Sequence, residues 1–247
     1  MPEALPALTT FDGILFDLDG VLTPTAEIHM RAWHRVFDDV FTELGITPAY
    51  TDADYFAHVD GKKRYDGVAD MLRSRNIEMP WGAPSDPPEA ATVCGIGNRK
   101  NAAFEAALQG EGIAPYPGSL ALITYLAEQG IPMGVVSSSK NAPEVLAIAK
   151  IDHFFRVVVD GAVAEKDGLA SKPAADMFRA GAERLGVDPA RAAAVEDAVS
   201  GAASAAASGY SCVIGVDRGA GEQALLDAGA TIVVRDLAAL VPGAALA

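Results

Sequence analysis

Short apolar runs punctuate this chain at intervals that suit a layered α/β fold. Gly13-Ile14-Leu15-Phe16, stopping at Asp17, comes first, and after a long gap follow residues 132–136, 157–159, 192–195, 212–216 and 231–234. Each run is too brief for a core helix and reads as a buried strand. Stretches with helical periodicity accompany the later ones, near residues 120–129, 142–149, 174–185, 200–208 and 222–228. Such alternation predicts an α/β architecture, a doubly wound parallel sheet with helices on both faces. The long gap after the first strand is helical instead. Between about residues 26 and 44, Trp33, Val36, Phe37, Val40, Phe41 and Leu44 recur at helical spacing, with Thr25 as N-cap and Gly45 as the stop. More helix is expected near 66–73 and 98–109, joined by a Pro/Gly-rich surface loop over 79–97. The expected organisation is therefore a core from residues 1–24 and 112–247, interrupted by an inserted α-helical cap domain at 25–111.

Half of the 247 residues are hydrophobic, enough for a sizeable core. The net charge of −14 argues against a nucleic-acid partner, because a polyanion would be repelled. No apolar run approaches the roughly 18 residues of a membrane span, and no basic residue precedes Arg31, so neither a membrane anchor nor a signal peptide is expected. A cytoplasmic location follows as the expectation. Cys94 and Cys212 lack metal-ligand spacing and read as reduced thiols. His29, His34, His58 and His153 contain no i, i+4 pair, so a helical zinc site is not indicated; His34 and His153 read as structural or solvated. Gly95-Ile96-Gly97 follows no convincing strand and lacks the third glycine of a dinucleotide fingerprint. Nothing in the sequence singles out a protein partner.

Open parallel sheets bind ligands beyond the carboxyl ends of their strands, which directs attention to the polar residues there. The first strand runs into Asp17-Leu18-Asp19-Gly20, the second into Ser137-Ser138-Ser139-Lys140-Asn141, and the fourth into Glu196-Asp197. Lys172-Pro173 is expected to open a helix before the fourth strand. Taken singly, each has a plain structural explanation: a turn, an N-cap cluster, a solvated lysine, an acidic helix start. Taken together at one sheet edge, carboxylates, hydroxyls and an ammonium are what phosphoryl transfer assisted by Mg²⁺ requires.

At these residues the chain resembles the haloacid dehalogenase (HAD) superfamily. Phe16-Asp17-Leu18-Asp19-Gly20-Val21, Val136-Ser137, Ser171-Lys172-Pro173 and Val195-Glu196-Asp197 are similar, in order, to its four signature motifs. The resemblance implies a Rossmann-like core in which Asp17 is the nucleophile, Asp19 the general acid and base, and Ser137 and Lys172 bind the transferring phosphoryl group. It further implies a Mg²⁺ site formed by Asp17, the backbone carbonyl of Asp19 and Asp197, with Glu196 at or just behind the metal.

The segment after the first motif resembles the helical cap of the β-phosphoglucomutase-like subfamily. This rests on Thr25-Ala26-Glu27 through His29, on Arg31-Ala32-Trp33, on Gly61 to Arg64 with Asp66, on Arg99-Lys100-Asn101, and on Ser137 through Asn141. By that resemblance Thr25, His29, Trp33, Gly61, Arg64, Lys100, Ser138, Ser139, Lys140 and Asn141 contact a small phosphorylated sugar. The implied reaction is conversion of β-glucose 1-phosphate to glucose 6-phosphate through the 1,6-bisphosphate. The alternative is a sugar-phosphate phosphatase. A non-catalytic phosphometabolite-binding protein is disfavoured, because no catalytic position is substituted. Lys62 and Lys63 read as a solvated basic face. Pro24 and Lys62 depart from the subfamily pattern, and the loop at 79–93 has no counterpart in it.

Overall fold

The computed structural model describes residues 5–243, with the side chains of all of these except 109–111. Two compact units emerge, one formed by Met1–Pro24 with Ile113–Ala247 and the other by Thr25–Gly112. The first and last four residues of the expected core lie outside the described residues.

In the helical unit, α1 (Thr25–Leu44) is followed by the single turn α2 (Asp52–Asp54), a wider helical turn over Tyr55–Val59, α3 (Arg64–Ser74) and α4 (Val93–Glu111). The apolar stripe anticipated on α1 forms this unit's core, with Trp33, Val36, Phe37, Val40 and Phe41 packed among Tyr50, Val68, Met71, Leu72, Val93 and Ile96. A capping box at Thr51 and Asp54 starts α2, and Asp54 also receives both bonds of a 2.8 Å contact from Arg75. Helix α1 already includes Thr25, which is fully buried with Pro24 immediately before it, so Thr25 is part of the first turn and not the cap.

Helix α4 begins at Val93, five residues earlier than the periodicity suggested. Gly95 and Gly97 lower helix propensity there, but Thr92 accepts a bond from the Gly95 N–H, and the burial of Val93, Cys94 and Ile96 supplies the remainder. The preceding loop is braced on α4. Asn98 Nδ2 donates to the carbonyls of Pro84 (3.1 Å) and Asp86 (2.8 Å), and Arg99 Nε donates to that of Pro88 (3.1 Å).

The other unit holds a sheet of six parallel strands: β1 (Ile14–Phe16), β2 (Met133–Val136), β3 (Val157–Val159), β4 (Ala193–Glu196), β5 (Cys212–Val216) and β6 (Ile232–Val234). Their order is β3-β2-β1-β4-β5-β6. Connecting helices are α5 (Pro117–Glu128), α6 (Ala142–Ile148), α7 (Gly161–Lys166), α8 (Asp176–Leu185), α9 (Val199–Ala207) and α10 (Glu222–Asp227). The short α7 has no sequence periodicity to announce it and rests on an N-cap, Asp160 accepting from the Val163 N–H at 2.7 Å. Strands β1, β2, β4 and β5 are buried along their whole length, as sheets covered on both faces require.

The chain winds outward from β1 through β2 to β3, then returns to β4 on the other side of β1. Phe16 is registered with Val135 on one side and Val195 on the other. The order of winding reverses between β1 and β4, and the carboxyl ends of strands at such a reversal form the ligand crevice of an open α/β sheet. Among the described residues no helix is long and apolar enough to cross a membrane.

Candidate active site

Asp17 stands at the end of β1, fixed by its N–H donating to the Val195 carbonyl at 2.9 Å. Its neighbours at the reversal point are Glu196, the last residue of β4, and Asp197. These three buried carboxylates can each offer an oxygen within 4.8 Å of the others. Lys172 enters between two of them. Its Nζ donates to Asp17 Oδ1 at 2.6 Å, Glu196 Oε1 at 2.5 Å and the Val136 carbonyl at 3.2 Å. Lys172 lies in a turn closed by the Ala174 N–H on the Ser171 carbonyl, and α8 starts only at Asp176, so Lys172-Pro173 does not open the helix as expected. A fully buried ammonium must meet acceptors, and the turn delivers it to three.

Burial works to lower the Lys172 pKa, yet the two carboxylates outweigh it and hold the ammonium above its ordinary range. Burial, together with the negative charge of Glu196 and Asp19, drives the Asp17 carboxyl well upward against the pull of Lys172. The cluster thus has three carboxylates around one ammonium. A divalent cation would offset that excess and favour the ionised form of Asp17. An all-oxygen donor set suits a hard cation such as Mg²⁺ and not a soft one.

Two glycines make the space. Gly20 has φ +85°, and a Cβ there would lie 1.9 Å from Asp197 Oδ2. A Cβ at Gly201 would lie 1.9 Å from Glu196 Oε1. Glu196 is further locked by accepting the N–H groups of Asp197 and Ala198 on Oε2, both at 3.0 Å.

Asp19 sits in the turn after β1, where residues 19 and 23 form a bridge and the Gly20 N–H donates to the Thr23 carbonyl at 2.8 Å. Its Oδ2 accepts from Ser137 Oγ at 3.4 Å, which joins the exits of β1 and β2. Its side chain is not part of the three-carboxylate group.

At the β2 exit three backbone N–H groups are already engaged. The Ser137 N–H donates to the Val159 carbonyl, the Ser139 N–H to Ser137 Oγ and the Asn141 N–H to Ser139 Oγ, at 2.9, 3.1 and 3.2 Å. A phosphoryl oxygen at these backbone donors would compete with bonds already made. Ser138 Oγ faces Met177 Sδ at 3.9 Å, and Lys140 is ion-paired with Glu165.

Within the helical unit, Lys100 is buried at 4% exposure with Nζ against His29 Nδ1 and over the rings of Trp33 (5.1 Å) and Phe104 (4.9 Å). The His29 ring stacks on Phe104, their centroids 3.9 Å apart. Trp33 is a core residue stacked on Phe37. Arg64 Nη2 donates to Asn101 Oδ1 at 2.5 Å, and Gly61 takes φ +70° just before α3. Lys62 is not a solvated charge as expected: Asp70 on α3 pairs with it at 2.5 Å.

Sequence inspection missed Arg218, two residues beyond β5. Its Nε donates to the Gly20 carbonyl at 2.9 Å, which brings it to the turn that carries Asp19. A polar pair after a strand, Asp217-Arg218, was the available signal.

The haloacid dehalogenase-like hydrolase family model matches residues 11–209. The chain belongs to this family. Within the haloacid dehalogenase family it lies in the β-phosphoglucomutase-like subfamily. It is 44% identical over 236 residues to β-phosphoglucomutase of Mycobacterium bovis, covering 92% of this chain and 90% of the relative. The fold is similar to that of β-phosphoglucomutase from Clostridium difficile, with TM-score 0.74 at 24% identity over 94% of this chain and 93% of that one. A variant of CbbY from Rhodobacter sphaeroides, solved in complex with xylulose-(1,5)bisphosphate, aligns with TM-score 0.69 at 25% identity over 92% and 95%.

Proposed function

We propose that the chain is a Mg²⁺-dependent phosphotransferase that works through an aspartyl phosphate on Asp17, and that its reaction is the β-phosphoglucomutase one. The observation that carries the phosphoryl-transfer reading is the buried group of Asp17, Glu196 and Asp197 with Lys172 bonded to two of them. The mutase reading draws on the 44% identity to the mycobacterial enzyme.

Asp17, Asp197 and Glu196, with the Asp19 carbonyl, would hold Mg²⁺, which when bound supplies positive charge between two anions that otherwise repel. Asp17 attacks phosphorus with a carboxylate oxygen; the new O–P bond forms as the bond to the leaving oxygen breaks. Lys172 keeps Asp17 oriented and offsets charge at the transferring group. Asp19 gives its proton to the leaving oxygen, then takes one from the hydroxyl that discharges the aspartyl phosphate. Ser137, bonded to Asp19, holds it in reach. In the mutase reaction the second phosphate of the bisphosphate needs fixed positive charge, a role we assign to Arg64 and Lys100 of the helical unit, with Lys140, Ser139 and Asn141 on the sugar. Thr25, His29, Trp33, Gly61 and Ser138 complete the proposed substrate contacts. A cytoplasmic location agrees with this substrate class.

The competing reading is a sugar-phosphate phosphatase, in which water discharges Asp17; the match to a hydrolase family model supports keeping it. The deciding experiment supplies β-glucose 1-phosphate, Mg²⁺ and trace 1,6-bisphosphate while following glucose 6-phosphate and free phosphate together. Glucose 6-phosphate formation in large excess over phosphate is expected. Stoichiometric phosphate release would overturn the mutase in favour of the phosphatase, and no turnover with any phosphoester would overturn both.

A further inference from the structure

We propose that Arg218 is a positioning residue for Asp19 and Asp197, acting through the Gly20 peptide. The inference rests on the phosphoryl-transfer reading for its kinetic consequence, but its geometry stands apart from it.

The turn after Asp17 is held at nearly every carbonyl. That of Leu18 accepts from the N–H groups of Leu22 and Thr23, that of Val21 from Ser119 Oγ at 2.6 Å, and that of Leu22 from the Tyr116 N–H at 3.0 Å. The Gly20 carbonyl is held by Arg218 Nε at 2.9 Å, a charge-assisted bond. Gly20, with φ +85°, is also the residue of this turn whose backbone is least restricted by its own chemistry. A turn that must hold one shape needs its restraint there.

The guanidinium is committed to this task. Its Nη1 donates to the Arg235 carbonyl beyond β6 at 3.2 Å, and its carbon lies 3.9 Å over the Tyr116 ring. Tyr116 thus supports Arg218 with its ring and grips the same turn with its N–H. Among the described residues, Arg218 Nη2 is buried without a hydrogen-bond partner. Burying an unsatisfied donor is costly, and it persists only where another demand fixes the group. The demand here is the pair of divergent carbonyls, which a planar fork can meet at once and an ammonium cannot.

Gly20 transmits the restraint to two carboxylates. Asp19 is its chain neighbour, and no space separates Gly20 from Asp197, because a Cβ would fall 1.9 Å from Asp197 Oδ2. A drift of the Gly20 peptide therefore turns Asp19 away from its proton-transfer geometry and removes the stop against which Asp197 rests. Small misplacements of this kind lower turnover far more than substrate binding.

The test compares wild type, Arg218→Met and Arg218→Lys in Mg²⁺-dependent hydrolysis of acetyl phosphate, in Mg²⁺ calorimetry and in thermal melting. For Arg218→Met, kcat is expected to fall about tenfold with KM within about twofold. Mg²⁺ binding should weaken severalfold, and melting should shift by only a few degrees. Arg218→Lys restores the Gly20 bond alone and should recover kcat to within about threefold of wild type. Unchanged kcat and Mg²⁺ affinity in Arg218→Met would overturn the proposal, as would a large melting loss that lysine fails to rescue. If wild type hydrolyses no phosphoester, the proposed function fails, while the calorimetric comparison still decides whether Arg218 positions Asp197.

Discussion

Asp17→Asn keeps the shape of the buried carboxylate but cannot form an acyl phosphate, so turnover is expected to vanish with the circular-dichroism spectrum unchanged. Residual activity above a few per cent of wild type, with contamination excluded, would refute Asp17 as nucleophile. Asp19→Asn should differ in kind. Its side chain stands outside the three-carboxylate group, so Mg²⁺ affinity measured by calorimetry should survive while turnover drops by about 10²-fold. A lost metal site in that variant would make the Asp19 carboxylate a ligand. What sets the two aspartates apart is surroundings: Asp17 is locked by the Val195 carbonyl and Lys172, whereas Asp19 meets a serine hydroxyl.

Helix α3 carries a charge group that serves structure. Asp70 Oδ2 lies 2.5 Å from Lys62 Nζ and 3.3 Å from His58 Nδ1, and Oδ1 lies 3.2 Å from Arg73 Nη1. Partial burial raises the Asp70 pKa, but the bonds from Lys62 and His58 outweigh it and hold the carboxyl below its usual range. A depressed folded-state pKa adds stability above the unfolded value, about 3.9 for Asp, which is lost as pH falls through the folded value. Asp70→Asn should therefore melt below wild type at pH 7, and the gap should close as the solution is acidified into the range where Asp70 protonates. A gap that stays constant across those pH values would remove the charge from the explanation. The Lys62 departure from the subfamily pattern gains a reason at this scale, as the partner of Asp70.

For the whole molecule, the decisive variant is Arg64→Ala. If Arg64 holds the second phosphate, its loss removes a charge-assisted contact of about 1.5 to 3 kcal/mol, and mutase turnover should fall by about one to two orders of magnitude. Hydrolysis of acetyl phosphate, which has no second phosphate, should change by less than about threefold in the same preparation. Equal losses in both assays would mean a general folding defect; no loss in either would leave Arg64 as the partner of Asn101 and favour the phosphatase. Each of the chain's two units has its own buried cluster, so a substitution in the helical unit can leave the packing around Asp17 intact.

Periodicity and strand-end chemistry were enough to place all six strands within about a residue or two and to locate Asp17, Asp19, Ser137, Glu196 and Asp197 at strand exits, because strands covered on both faces must be continuous apolar runs. The sequence also determined that charge must accumulate at one sheet edge. Tertiary structure alone decided the rest. The start of α4 depends on burial of Val93 and Ile96 overriding two glycines, which no local propensity reveals. The turn at Lys172 exists because a buried ammonium must reach carboxylates 155 and 24 residues away in sequence. Arg218 meets Gly20 across 198 residues, through a carbonyl whose direction is a backbone property and leaves no mark in the amino-acid pattern.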